Sequence, residues 1–198
     1  MRSIDDKVTE QVHNTKSGTI LFIEDFLSLG SNGAVHTALH RLVKGKQIAR
    51  LARGIYAKPT FSKLLNKYVL PGAEEVAVAI AKRDKARLLP TGAYAQNALG
   101  LSSQVPLRIV YLTDGSPRTI TIGKRSIQFK KTTPKNLALK GKISKLVVQA
   151  LKDIGKDKAT AQELNKIHTL LQKEDKQDLK HDIALAPQWI AEIMAKAM

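Results

Sequence analysis

The run Ser31-Asn32-Gly33-Ala34-Val35-His36-Thr37-Ala38-Leu39-His40-Arg41-Leu42-Val43-Lys44-Gly45 decides how the rest of the chain is read. At a helical advance of about 100° per residue, Val35, Ala38, Leu39, Leu42 and Val43 fall within one arc of about 140°, the spacing of a buried helix face. His36, Thr37, His40, Arg41 and Lys44 take the opposite arc, and none of them is an acid. Ser31 offers an N-cap and Gly45 a stop, so the spacing predicts a helix over 32–44. Base edges are read by donors and acceptors, and phosphates attract cations, so this outer face suits a helix lying against DNA. Asn32 sits at the amino-terminal end, which a major-groove helix turns toward the bases, and a carboxamide can hold adenine through two hydrogen bonds. The plain alternative is a solvated helix face, although such faces carry Glu as often as Lys. His36 and His40 have the spacing of a zinc pair, but no acid or cysteine nearby supplies a third ligand, and no metal is expected.

On the amino-terminal side, Ile4, Val8 and Val12 recur every four residues. They predict a helix over 4–16, with Ser3 as cap, Asp5 and Asp6 at the positive end of the dipole, and Ser17-Gly18 as the stop. Thr19-Ile20-Leu21 is β-prone. Residues 22–29 read as a second short helix, with Phe22, Ile23, Phe26 and Leu27 facing inward and Gly30 ending it. Two helices joined through a short Gly-containing turn fit a helix-turn-helix. On the other side, Lys46 precedes two β-prone runs, Gln47 to Leu51 and Ile55 to Ala57. They flank Ala52-Arg53-Gly54, a hairpin signal. Arg50 and Arg53 would meet the DNA backbone or minor groove from that hairpin. The order helix, short strand, helix, turn, helix, hairpin predicts a winged helix-turn-helix over residues 1–60.

Residues 60–70 read as a connector, broken by Pro71-Gly72. A second domain over 71–198 opens with a helix from Glu74 to Arg83, acids first and bases last. Leu88 to Pro90 is extended and 91–99 a short helix. Strands over 105–113, 119–122 and 127–130 are expected to form an antiparallel meander. Helices follow over 143–154 and 159–171, and a last one after Pro187 contains Trp189, Ile190, Ile193 and Met194, with Trp189 expected in the core. The fold class is α+β: an N-terminal winged helix-turn-helix, then a small α+β domain with an antiparallel meander and a helical C-terminal tail.

Lys and Arg number 33 against 17 Asp and Glu in 198 residues, a formal charge of +16. Such an excess concentrates polyanions at the surface. Residues 1–70 hold 11 basic and 5 acidic side chains, 71–140 hold 12 and 4, and 141–198 hold 10 and 8. No basic amphipathic helix with an aromatic membrane face and no long apolar run is visible, so nucleic acid and not a membrane is the expected partner. Cysteine is absent, which excludes disulfides and thiolate metal sites and is compatible with a reducing, cytoplasmic location. Met1-Arg2-Ser3-Ile4-Asp5-Asp6 has no apolar stretch, so no signal peptide is expected.

The enzyme readings fail at the residues. A phosphate loop needs Gly, four residues, then Gly-Lys-Ser/Thr. Gly123-Lys124 is followed by Arg125 with Arg118 at the first position, and Gly141-Lys142 is preceded by Asn136. No Gly-x-Ser-x-Gly elbow occurs. Glu74 and Glu75 diverge by about 100° on a helix, and Asp114 sits in a turn, where Asp bonds its own backbone. No catalytic residue and no cofactor is expected.

Two stretches resemble a known family. Gly33 to Lys46, followed by Ile48-Ala49-Arg50-Leu51-Ala52-Arg53-Gly54-Ile55-Tyr56, is similar to the N-terminal winged helix of the abortive-infection type IV antitoxin family, AbiEi. The basic-residue, Gly, Ile-Tyr ending is its most specific part. Leu89-Pro90-Thr91-Gly92-Ala93-Tyr94-Ala95-Gln96-Asn97-Ala98-Leu99-Gly100-Leu101 and the strand Val110-Tyr111-Leu112-Thr113-Asp114-Gly115 look like its second domain, so the resemblance covers roughly 1–140. It implies an autorepressing antitoxin that binds inverted repeats of double-stranded DNA in its own promoter. The functional partner would be a nucleotidyltransferase-like toxin, neutralised without a stable complex. The reading face implied is Asn32, His36, Thr37, His40, Arg41 and Lys44, with Lys46 beside it and Arg50 and Arg53 on the wing. The competing expectation is a protein-interaction module that uses the same scaffold to dock an acidic partner.

Overall fold

A computed structural model describes residues 2–198 as a mixed α+β structure. It divides into two compact units. The first runs to Ala79 and takes in Thr121–Gly123; the second comprises Ile80–Ile120 and Lys124–Met198.

The first unit begins with α1 (Ile4–Asn14). Ser3 caps it through a reciprocal pair: its hydroxyl accepts from the Asp6 N–H, and the Asp6 carboxylate accepts from the Ser3 N–H. Strand β1 (Ile20–Phe22) leads into a 3-10 segment, Ile23–Leu29, and then α2 (Asn32–Lys44). Strands β2 (Ala49–Ala52) and β3 (Ile55–Ala57) form the hairpin. The sheet order is β1-β3-β2, antiparallel throughout. Its core gathers Val8, Val12, Phe26, Val35, Leu39, Leu42 and Ile48.

Three features differ from the sequence reading. The expected helix over 22–29 is a 3-10 segment starting at Ile23, with Phe22 left on the strand. At three residues per turn, Ile23, Phe26 and Leu29 share a face, and they pack on the core while Leu27 points outward, 40% exposed. Helix α1 stops at Asn14, two residues early, because Lys58 donates to the carbonyls of Val12, His13 and Thr15 and closes its end. The expected connector is a second hairpin, β4 (Thr60–Ser62) and β5 (Lys67–Val69). Its loop lacks glycine, and Asn66 supplies the left-handed residue at φ 47°.

Helix α3 (Ala73–Arg83) is followed by β6 (Leu88–Thr91), α4 (Gly92–Ala98), β7 (Arg108–Thr113), β8 (Arg118–Ile122) and β9 (Arg125–Lys131). The expected antiparallel meander is corrected here. The sheet order is β6-β7-β9-β8, and β7 pairs with β9 in parallel. Strand β9 carries the buried Ile127 and Phe129 and takes the interior place, whereas the Arg-Thr-Ile-Thr-Ile run of β8 has no buried residue and takes the edge. Strand β7 starts at Arg108, not at Val105, since Pro106 has no N–H to give to a ladder.

Helices α5 (Ser144–Ile154), α6 (Ala161–Leu171), α7 (Lys176–Leu185) and α8 (Gln188–Ala195) complete the chain. Val147, Leu151, Ile167, Leu171, Ile190 and Met194 form their core, and Trp189 packs half-buried against it. Among the described residues no helix is long and apolar enough to cross a membrane.

Candidate nucleic-acid interface

Helix α2 spans Asn32 to Lys44, with the Ser31 hydroxyl accepting from the Ala34 N–H at 3.4 Å. Val35, Ala38, Leu39 and Leu42 are buried and Val43 is half-buried. That burial turns the other side of the helix outward. Asn32, His36, Thr37, His40, Arg41 and Lys44 are all exposed. An added Cβ on Gly33 would meet open space, so the first turn presents bare backbone to solvent. Thr37 donates to the Gly33 carbonyl at 2.9 Å. The face is not wholly free of carboxylate: Asp5 of α1 reaches Arg41 at 3.3 Å. Both side chains remain well exposed, so the pair is a weak one that a phosphate can replace.

Lys46 lies in the turn after α2 in the left-handed conformation, φ 57°, and is exposed. Arg50 is exposed on β2 beside a β-bulge between Arg50 and Ala52, and its Nε donates to the Ala52 carbonyl at 3.4 Å. Bulges of this kind re-aim the side chains next to them. Arg53 stands exposed at the hairpin turn, where Gly54 takes φ 71°. The Ile23 N–H donates to the Gly54 carbonyl at 3.0 Å and ties the hairpin to the 3-10 segment. Lys46 and Arg50 line one groove, which does not include Arg53.

Sequence reasoning missed the cations that follow. Lys63 and Lys67 are exposed on the second hairpin, next to Phe61 and Tyr68, whose rings meet edge to face at 5.4 Å. A signal was present: from Phe26 to Ala73 the chain has eight Lys and Arg and no Asp or Glu. Lys58, one of the eight, is committed to the end of α1.

The second unit brings a Ser, an Asp and a His together, in the wrong order for nucleophilic chemistry. Ser144 Oγ and His181 Nδ1 both lie against the buried Asp182 carboxylate, at 2.5 and 2.8 Å, so the hydroxyl donates to the carboxylate and not to the imidazole. The Lys140 and Gly141 N–H groups also donate to Asp182. Burial alone would raise the Asp182 pKa; the bonds from Ser144, His181 and the two backbone groups outweigh it and hold the carboxyl below its ordinary value. Among the described residues, no three His, Cys, Asp or Glu side chains are grouped as a metal site.

A comparison with curated proteins returns no match. One family model, described as a family of unknown function (DUF6088), matches residues 7–179. That span takes in the α2 face, both hairpins, the β6–β9 sheet and the first helices of the carboxyl-terminal bundle, and the chain belongs to this family.

Proposed function

We propose that the chain is a winged helix-turn-helix transcriptional regulator and not an enzyme, with α2 as the helix that reads double-stranded DNA and the β2–β3 hairpin as the wing. The observation that carries this reading is the exposed outer face of α2. It combines an amide, two imidazoles, a hydroxyl and two cations, within a 48-residue stretch that has no acid. Asn32, His36 and His40 supply base-edge donors and acceptors; Arg41, Lys44, Lys46, Arg50 and Arg53 supply phosphate contacts. The resemblance to AbiEi-type antitoxins extends the proposal. The target is then an inverted repeat in the chain's own promoter, and the functional partner a nucleotidyltransferase-like toxin, with the action cytoplasmic.

The test is fluorescence anisotropy of the protein with a labelled duplex from its own upstream region, against a scrambled duplex, over several salt concentrations. Preference for the native duplex near physiological salt is the expected result. Lys44→Ala should weaken binding to both duplexes and lower the salt slope by about one. Equal, salt-fragile binding to the two duplexes would refute sequence reading. One observation favours a second reading, a module that docks an acidic protein: Asp5 already shows that a carboxylate can sit on Arg41. That reading requires no duplex preference.

A further inference from the structure

A groove of about 880 Å³ opens within the first unit, a volume in the range of small-molecule sites. One wall is the end of α1, at Val12 and His13. The turn after α2 and the start of β2 form another, and Tyr68 and Leu70 close the third side. The floor is apolar, with Val43, Ile48 and Ala49 along it. Tyr68 is 73% exposed and Leu70 47% exposed, so apolar surface faces this space without a cover from the chain.

The fixed charges on the lining are of one sign, beside the polar His13, Ser17 and Gln47. Lys46, Arg50 and Lys58 are fixed cations, and no carboxylate is among the lining residues. The Lys58 ammonium is held in place in the wall by carbonyls at 3.0, 2.9 and 2.7 Å. Arg50 is steadied by its bond to the Ala52 carbonyl. A concave apolar floor flanked by cations and by no acid repels cations and attracts anions. It complements a flat apolar body that carries an anionic group.

We propose that this groove binds an aromatic organic anion, a carboxylate or sulfonate on a ring system, and that its occupancy withdraws Lys46 and Arg50 from nucleic acid. The ring lies on Val43 and Ile48 with Tyr68 over its edge, and the anion meets Lys46 and Arg50. The first half stands on the groove alone; the second rests on the DNA-binding reading above.

Two fluorescent probes test the site directly. Anilinonaphthalene sulfonate carries the anion, and phenylnaphthylamine is its uncharged counterpart. The expected result is saturable binding of one sulfonate per chain, about tenfold tighter than the neutral probe, the effect of a partly screened charge pair or two. Arg50→Ala should remove most of that difference and leave the neutral probe unaffected. Tyr68→Ala should weaken both probes about tenfold, and the exposure of Tyr68 makes the substitution safe for the core. Equal affinity for the two probes, or a Tyr68→Ala protein that binds like the parent, overturns the site. The coupling is read separately: the sulfonate should release a labelled upstream duplex from the parent, and the uncharged probe at the same concentration should not. Probe binding with the duplex retained overturns the coupling and keeps the site. Absence of duplex binding altogether refutes the DNA reading and leaves the two-probe result standing.

Discussion

Helices α2 and α5 begin in opposite ways. The first turn of α2 is capped by its own Ser31, and the residues that follow, Asn32 and Gly33, are exposed. The start of α5 is closed by carboxylates from far along the chain. Glu174 accepts from the Ile143 and Ser144 N–H groups, and Asp182 from Lys140, Gly141 and the Ser144 hydroxyl. Both helices carry the same positive end. In α5 the chain supplies the negative charge itself and buries it, which makes that end structural. In α2 the cap is the neutral Ser31 hydroxyl, which leaves the end open to an anion from outside.

The sharpest way to break this contrast is Asp182→Ala. It leaves two backbone donors, one hydroxyl and the His181 ring without their partner in a largely buried place, and should cost on the order of 3 kcal/mol. Trp189, the single tryptophan, packs against the helical core and reports the loss in denaturant melts. A change below about 1 kcal/mol would mean that water replaces the carboxylate and that the closure of α5 is incidental.

Acid should have a parallel effect. The Asp182 carboxyl is held below its ordinary value of 3.8 in the folded chain. A lowered folded pKa means the ionised group contributes stability in full above the unfolded value, and that contribution disappears as pH falls through the folded value. Melts followed at Trp189 should therefore separate the parent from Asp182→Asn at pH 6, and the two should converge as pH falls from 3.8 through the lower folded value. A gap that persists in acid would assign the stabilisation to shape instead of charge.

A third helix end gives a smaller effect. Lys58→Met keeps the apolar stem and removes the three donors on the last carbonyls of α1. The expected loss is about 1–3 kcal/mol, as for hydrogen bonds to a charged group, measured by hydrogen exchange at the amides of α1. Unchanged protection would show that solvent serves those carbonyls equally well.

The smallest change in stability is also the most discriminating. Gly33→Ala places a methyl where nothing lies within 4 Å and removes a poor helix former, so it should stabilise α2 by about 0.5–1 kcal/mol. If the open end of α2 lies against nucleic acid, the same substitution weakens duplex binding. A protein made more stable with undiminished duplex affinity would take the first turn of α2 out of the interface.

The sequence carried α2 to its end residues, because a caps-and-stripe pattern is local and here undistorted. The hairpin after it was legible for the same reason. The 3-10 segment was not, since Phe22-Ile23-Phe26-Leu27 fits an α period while Ile23, Phe26 and Leu29 fit a period of three. Helix α7 was missed because only Leu179 and Ile183 mark its apolar face, and its main buried group is a charge, Asp182. The capping roles of Glu174, Asp182 and Lys58 join residues 30 or more positions apart, a relation that no local pattern encodes. In the α2 face, spacing identified which side chains are exposed; the Asp5 contact on Arg41 came from another helix and was invisible.

The placement of β9 between β7 and β8 orders the events of folding. A strand that follows β8 in the chain and sits inside it in the sheet cannot be added last to a finished edge. The β8–β9 ribbon, closed by the tight turn at Gly123, is a short-range structure of the kind that forms in about 1–10 μs. The ribbon is expected to dock along β7 through its β9 side. The slow step expected in assembling this sheet is the search for that single parallel seam, Arg108 against Ser126 through Thr113 against Lys131.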